Sequence, residues 1–413
     1  MPDVSIPKDT TAKIGKVEGD LRVGHAAKVE AEGAAIEVTG RVTCDGEAEF
    51  QGNLTCLEFS ARGVWGFGSK IKVHGDLTTT SDLRVENGQL DIDGNLQARS
   101  VSVDKALHVG QNARADDFDV GGVLEVRGNI SGKKVDVGGS FKVGGALEVD
   151  EVDVGGKVDI AGTVRSVSID VGGLAEIGGG EVSKDVDVGG KFESTKPLKF
   201  SKLDVGGLAT LKEGGTGGDV DVGGKFESRG DLTFTKLDVG GTASISGNGT
   251  GIEVDIGGLL QVSGSLTLEK DLDIGGKAYI GAELSVDSLE VGGSMEANQI
   301  IAQKDIEVGG DLKTLKGAKA DKIALGHNSR ASGPIIAREV QVGHGSRVED
   351  VYADDLELEH GSRARNLYFK RGTIEAGVHV EGDIQYTDAI EASPDVRFAR
   401  PPSKTIELPK PPL

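Results

Sequence analysis

The sequence predicts an all-β protein, a single-stranded parallel β-helix (a triangular β-solenoid) with about 17 residues in each coil. Three observations predict this fold. The phrase [Asp/Glu]-[Val/Ile]-Gly-Gly returns at a nearly constant interval, from Asp119, Asp136 and Asp153 on to Glu307. Apolar and polar residues alternate in short bursts inside each interval. The chain holds 65 Gly but only 10 Pro and one Trp, so its core must come from Val, Ile, Leu and Ala.

One interval shows the three strands. In "VDVGGSFKVGGALEVDEVDVGG", residues 135–156, apolar residues are separated by two in three bursts, at 135–137, 141–143 and 147–149. A period of two is typical of a strand with one buried face. Three short strands and three corners describe one coil, which stacks on the next. Glycine supplies either a positive φ or a crowded backbone position at the corners, where a Cβ would clash.

The acidic residue of the repeated phrase is predicted to point outward, while the apolar residues on either side of it point into the core. Stacked coils then place these acids in one outer column. Its members are Asp119, Asp136, Asp153, Asp170, Asp187, Asp204, Asp221, Asp238, Asp255, Asp273, Glu290 and Glu307.

The period sets the domain boundaries. Residues 1–12 are predicted to be an N-terminal tail and 391–413 a Pro-rich C-terminal tail. Between them, residues 13–390 form one continuous β-helix of about 22 turns. It has irregular coils at 13–117, regular coils of about 17 residues at 118–313, and a further set of coils at 314–390.

Charges in neighbouring columns alternate from coil to coil. Like charges about 5 Å apart repel by roughly 1 kcal/mol in water. The column two residues before the acids largely alternates in sign, and three coils with an acid there carry a lysine just after the glycines. The visible repeat is therefore a unit of two coils, or about 34 residues. The column reads Asp117, Lys134, Glu151, Ser168, Asp185, Lys202, Asp219, Lys236 and Glu253, and the three lysines are Lys157, Lys191 and Lys225.

Composition excludes several classes of protein. The formal net charge of −21 argues against general nucleic-acid binding, which needs a basic face. No secretory signal and no apolar run of about 20 residues is visible. Cys44 and Cys56 are interpreted as buried free thiols, with a disulfide or a metal pair as the alternative. We expect a cytoplasmic protein without a cofactor.

Two patterns suggest chemistry, and both have a structural alternative. Asp-x-Asp pairs such as Asp185/Asp187 and Asp219/Asp221 are similar to those of calcium-binding β-rolls, but the nine-residue rhythm of those proteins is missing. Histidines in related phrases favour a repeated corner residue over a catalytic base or a zinc ligand. These histidines are His25, His327, His344 and His360.

The run "GVWGFGSK", residues 63–70, concentrates Trp65 and Phe67. It predicts either a loop that bulges from the solenoid or a hydrophobic contact point, and the sequence does not decide between them.

The phrases "VEGDL", "VHGDL", "IDGNL", "VRGNI" and "VEGDI", with flanking "VSV" and "LEL" strands, resemble the bactofilin family of polymer-forming cytoskeletal proteins. The resemblance is strongest over residues 13–135 and 320–390. It implies a right-handed triangular β-helix that polymerises end to end without nucleotide, often at membranes. The chain departs from the family in its length and in its Asp-Val-Gly-Gly block. No membrane-binding N-terminal motif is evident, which leaves a location at the inner face of the membrane open.

We therefore expect a non-enzymatic rod that self-assembles end to end into filaments or a scaffold, because an open β-helix ends in unpaired strands. The C-terminal tail is a candidate ligand for a protein partner. A cell-surface or envelope solenoid is the alternative, and a left-handed β-helix enzyme, such as an acyltransferase or a carbonic anhydrase, is the third hypothesis. The candidate assembly contacts in the first and last coils are Ile14, Val17, Leu21, Val380 and Ile384.

Overall fold

The computed structural model describes residues 3–67 and 70–413. Those residues contain no helix, and their strands form a parallel β-solenoid of about 23 turns with about 17 residues in each turn. The predicted fold class is thereby confirmed. The chain divides into two compact units, Met1–Gly206 and Gly207–Leu413.

The strands of the first unit, β1 to β29 in chain order, are Val4–Ile6, Thr11–Ile14, Lys16–Val17, Leu21–Val23, Ala27–Val38, Arg41–Cys44, Glu47–Cys56, Glu58–Ala61, Gly63–Phe67, Lys70–Val73, Leu77–Thr79, Asp82–Glu86, Gln89–Ile92, Leu96–Gln97, Ser100–Val103, Ala106–Val109, Ala113–Arg114, Asp117–Val120, Val123–Val126, Ile130–Val137, Ser140–Val143, Leu147–Val154, Lys157–Ile160, Val164–Ser166, Ser168–Val171, Leu174–Ile177, Gly180–Val188, Lys191–Ser194 and Leu198–Val205.

The strands of the second unit, β30 to β54, are Leu208–Leu211, Gly215–Thr216, Asp219–Val222, Lys225–Ser228, Leu232–Thr233, Lys236–Val239, Thr242–Ile245, Gly249–Gly251, Glu253–Ile256, Leu259–Val262, Leu266–Leu268, Asp271–Ile274, Lys277–Val286, Ser288–Val291, Ser294–Ala302, Asp305–Val308, Leu312–Leu325, Arg330–Ser332, Ile335–Val342, Arg347–Leu358, Arg363–Ile374, His379–Val380, Ile384–Ala392, Arg397–Phe398 and Ser403–Lys404.

Each regular coil has three strands. β12 pairs in parallel with β15, β13 with β16 and β14 with β17, so a strand meets its partner three strands further along the chain. Where a corner is gentle, two faces merge into one longer strand, as in β20. Three bursts of alternating residues per coil therefore become three faces, as predicted.

The core lies inside the coil, and the alternation decides which residues enter it. In the interval at 135–149, all six apolar residues of the three bursts are at most 2% exposed. The polar residues between them point outward. The predicted orientation of the repeated phrase is confirmed as well, since Val135 and Val137 are buried on either side of the outward Asp136.

Inside the second unit, one core column alternates small and large side chains from coil to coil. Its members pair in strict register, and each is at most 1% exposed. Phe226 and Leu260 therefore have an alanine both above and below them, which leaves room for the larger side chain. The column reads Ala209, Phe226, Ala243, Leu260, Ala278 and Met295.

The paired glycines stand where backbones approach closely. A Cβ added to Gly155 would lie 2.6 Å from the carbonyl oxygen of Gly138, and one added to Gly172 would lie 2.5 Å from that of Gly155. None of these three glycines has a positive φ. Glycine is therefore required at this corner because neighbouring backbones approach closely, and not because of a positive φ.

A second corner is held by side-chain amides and carboxylates. The Oδ1 of Asp76 accepts a hydrogen bond from the Asn95 N–H at 2.6 Å, and Asn95 in turn accepts one from Asn112 at 3.2 Å. Asn112 and Asn129 continue the ladder, which ends on the N–H of Ala146. The Asp or Asn that follows Gly in "VHGDL", "IDGNL" and "VRGNI" therefore caps the corner of the next coil.

The solenoid extends beyond both predicted boundaries. β1, at Val4–Ile6, pairs with Leu21–Val23, so residues placed in an N-terminal tail belong to the first coil. At the other end, β53 pairs with β51 and β54 with β52, within the predicted C-terminal tail. Strands of two or three residues are too short to show a period. The neighbouring prolines had indicated a tail, but they lie outside these strands.

Cys44 and Cys56 are buried free thiols, as predicted. Burial raises the pKa of each thiol to about 12. Because only the thiolate is nucleophilic, the native thiols should stay unreactive until the pH approaches that value. We expect a maleimide reagent at pH 7 to label neither cysteine in the folded protein and both in urea, as measured by intact mass. Labelling of the folded protein at the rate found in urea would contradict this prediction.

Candidate functional site: the acidic column and the terminal coils

The acidic column of the first unit forms as predicted. Asp119, Asp136, Asp153, Asp170, Asp187 and Asp204 stand opposite one another in successive parallel strands. All six side chains are exposed or half-buried. Their carboxylates therefore repel along the stack.

The second unit repeats this arrangement. Asp221, Asp238, Asp255, Asp273, Glu290 and Glu307 stand in register on successive strands. The column loses its charge after Glu307, because Ala324 and Gln341 take the next two positions.

Lysines in the neighbouring column offset the repulsion in alternate coils. Lys202 Nζ lies 3.0 Å from a carboxylate oxygen of Asp204 in the first unit. Lys236 Nζ lies 3.5 Å from Asp238 and 3.8 Å from Glu253 in the second. These pairs are exposed and individually weak. The lysines after the glycines act elsewhere, since Lys191 binds Glu193 at 3.0 Å and Lys225 binds Glu227.

Two aspartates in coils without such a lysine show the repulsion. Burial raises the pKa of the Asp170 carboxyl, and the adjacent Asp187 and Asp153 raise it further. Burial and the neighbours Asp238 and Asp273 likewise raise the pKa of Asp255. The pKa of a column aspartate is therefore raised in two coils whose neighbouring column holds no lysine.

Three histidines stand one above another at one corner, two of them with stacked rings and the third edge-on. The rings of His344 and His360 are 5.3 Å apart and nearly parallel, and those of His327 and His344 are 6.4 Å apart. Each precedes a residue with positive φ, namely Asn328, Gly345 or Gly361. They are a repeated corner residue, as the sequence favoured.

His25 lies in the first unit, next to Gly46. Within residues 3–67 and 70–413, no group of three or more His, Cys, Asp or Glu side chains is arranged to hold a metal ion. No helix in that part of the chain has the length and apolar character needed to cross a membrane.

Trp65 lies in β9 and not in a bulging loop. Its side chain is 51% exposed, and the Arg84 guanidinium lies 5.9 Å from the ring centroid. The side chain of Phe67 and residues 68–69 lie outside the described part of the chain.

Three of the candidate assembly contacts lie inside the solenoid. Leu21, Val380 and Ile384 are each at most 2% exposed, because β1, β53 and β54 add strands beyond them. Ile14 and Val17 lie in β2 and β3, which pair with β5 and belong to the first coil, as predicted. Ile14 is half-buried there and Val17 is 2% exposed.

At the N-terminal end, the edge consists of β1, β2 and β3, which pair with β4 and β5 of the next coil. Val4 N donates to Asp20 O and Gly24 N donates to Ile6 O, both at 2.9 Å. Since backbone groups alternate in direction along a strand, the N–H and C=O of Ser5 point away from the stack. Val4 is half-buried, whereas its partner in the next coil, Leu21, is 1% exposed.

At the C-terminal end, β53 has the same character. Arg397 N donates to Val378 O and Ala399 N to Val380 O, both at 2.9 Å, so the backbone groups of Phe398 point away from the stack. The side chain of Phe398 is half-buried, whereas its partner Val380 is fully buried. Both ends therefore expose core columns that are covered everywhere else.

These strand pairings and buried columns define a parallel β-solenoid with three strands in each turn. Comparison of the chain with protein-family models, with curated proteins and with solved structures finds no match.

Proposed function

We propose that this protein is a non-enzymatic structural protein that self-assembles end to end through its terminal coils, in the manner of the bactofilins that its sequence resembles. The exposure of Phe398 and Val4 carries the proposal. Each belongs to a core column in which the next residue inward, Val380 or Leu21, is at most 1% exposed.

Two contributions favour end-to-end contact. Burying the exposed core columns removes apolar surface from water, at roughly 25 cal/mol per Å². Pairing of β1 with β54 and of β3 with β53 of a second copy, strands that end the same faces of the coil, supplies partners for backbone groups that point away from each stack. The net charge of −21 opposes approach, so added salt should lengthen the assemblies.

Electron microscopy of the purified full-length protein tests the proposal. We expect the intact protein to form strands many molecules long at physiological salt. Phe398→Asp and Val4→Asp each place a charge in an end surface and should leave short particles. Their neighbours point outward, so Arg397→Asp and Ser5→Asp are matched controls that should assemble as the intact protein does.

Single particles from the intact protein, at every salt concentration up to about 0.5 M, would refute end-to-end assembly. Assemblies that persist in both end-surface variants would show that another surface makes the contact.

A further inference from the structure

One outer column of the second unit is more deeply buried than an outer column should be. Lys319, Ile336, Tyr352, Tyr368 and Gln385 stand in register on the outside of successive coils. Ile336 is only 8% exposed, although the side chains before and after it in the strand point into the core. The rings of Tyr352 and Tyr368 stack at 4.9 Å and are half-buried. We call Ile336, Tyr352 and Tyr368 the tyrosine strip.

The chain's own segment 405–413 begins at one end of this strip. Ser403 stands opposite Gln385 in the same outer column. Thr405 N donates to Tyr386 O at 2.9 Å, and Lys404 Nζ donates to Asp388 O at 3.1 Å. The start of the segment is therefore fixed in the last coil, where Ser403 stands two coils beyond Tyr368 in the same column.

The segment reaches the other end of the strip at Leu413. A methyl carbon of Leu413 lies 3.0 Å from the position that a Cβ on Gly317 would take. Gly317 lies in β46, two residues before Lys319, and its stacked neighbour Pro334 comes directly before β48, which carries Ile336.

The length of the segment fits this path. Four to five strand spacings of about 4.8 Å amount to roughly 20–24 Å. Eight residues of a Pro-rich segment at about 3.1 Å each span roughly 25 Å. Leu408, Pro409 and Leu413 are half-buried, whereas Ile406 and Lys410 are exposed. One side of an extended segment therefore faces the solenoid.

We propose that the tyrosine strip is a binding site for a Pro-rich segment, and that it accepts residues 405–413 of a second copy of this chain in place of its own. Aromatic surfaces bind Pro-rich segments because the polyproline conformation loses little entropy on binding. The second copy carries the same chemistry, so exchanging one segment for the other changes few contacts.

The segment is only partly buried and hydrogen-bonded against its own chain. This favours its replacement by the segment of a second copy. The Oγ1 of Thr405 is buried without a hydrogen-bond partner. Half of the segment's apolar residues are only half-buried, and the others are exposed, including Ile406. A short tether gives an effective concentration in the millimolar range, so exchange should grow as the protein concentration approaches it.

Disulfide trapping in the full-length protein tests the proposal, because the two native thiols are buried. The double variant Pro334→Cys/Leu413→Cys should close a disulfide within one chain. The single variants Pro334→Cys and Leu413→Cys, when mixed, should form a disulfide between chains that increases with protein concentration. Pro197→Cys is the matched control for Pro334→Cys. It should form at least several-fold less of the mixed disulfide with Leu413→Cys.

Failure of the double variant to close would refute the assignment of the segment to the strip. Closure within one chain, with no more mixed disulfide than the Pro197→Cys control up to about 1 mM protein, would refute the second copy as the partner. Repeating the mixture in chains that carry Phe398→Asp separates this exchange from end-to-end assembly, since the strip does not include the end surface.

Discussion

Replacing Phe226 by alanine is expected to lower the free energy of unfolding of the surrounding coils by about 3–5 kcal/mol. Phe226 is fully buried, and its neighbours in the core column, Ala209 and Ala243, are already small. The substitution would leave three alanines in succession. Parallel strands fixed in register on both sides cannot collapse into that space, so the cost should lie at the upper end of the range.

Hydrogen exchange measured by mass spectrometry is the suitable observable, because a solenoid loses stability locally and need not unfold in two states. We expect faster exchange in residues 205–262, with no change in residues 21–109. Tyr279→Ala truncates an aromatic side chain that is 39% exposed and should change stability by about 0.5 kcal/mol or less. Equal effects of the two substitutions would contradict a core built on alternating sizes.

The core alternation could have been found in the sequence. The third residue after the first glycine of the repeated phrase is Phe226 in one coil and Ala243 in the next. The charge pattern had already indicated a two-coil unit. The matching alternation of small and large core side chains was missed, because Ala and Phe are both simply apolar in a hydrophobic pattern. Side-chain volume, and not hydrophobicity, carries that signal.

The repeat itself was readable because one strict spacing controls both register and orientation. A slip of a single residue would turn every buried Val or Ile of the phrase outward. The ends lack this redundancy. β1 has three residues and β53 has two, so neither shows a period, and the edge residues Val4 and Phe398 could not be distinguished from a tail.

The tyrosine strip is a further feature that sequence patterns do not reveal. Tyr352 and Tyr368 stand one coil apart, which places them in one column once the coil length is known. The segment 405–413, whose two ends lie near the two ends of the strip, comes well after the tyrosines in the chain, and its path depends on where the last strand ends. No local spacing encodes that relation.

Replacing Gly172 by alanine is expected to destabilise its coil by about 1–3 kcal/mol, although only one methyl group is added at a solvent-facing corner. Its Cβ would stand 2.5 Å from the Gly155 carbonyl oxygen. Relief requires the two coils to separate at that corner. The adjacent β25 is bonded in register to β22, which resists the separation. Gly189 would stack on the altered residue and transmit the strain to the following coil.

Gly15→Ala is the matched control. The nearest atom to its added Cβ is a carbonyl oxygen at 3.5 Å, an ordinary contact, and Gly15 is not among the glycines with positive φ. Thermal unfolding and hydrogen exchange should therefore show a clear loss for Gly172→Ala and little change for Gly15→Ala. If Gly172→Ala were neutral, the paired glycines would not be required by coil spacing. If glycine were needed at these corners only for its backbone flexibility, Gly172→Ala and Gly15→Ala would destabilise the protein equally.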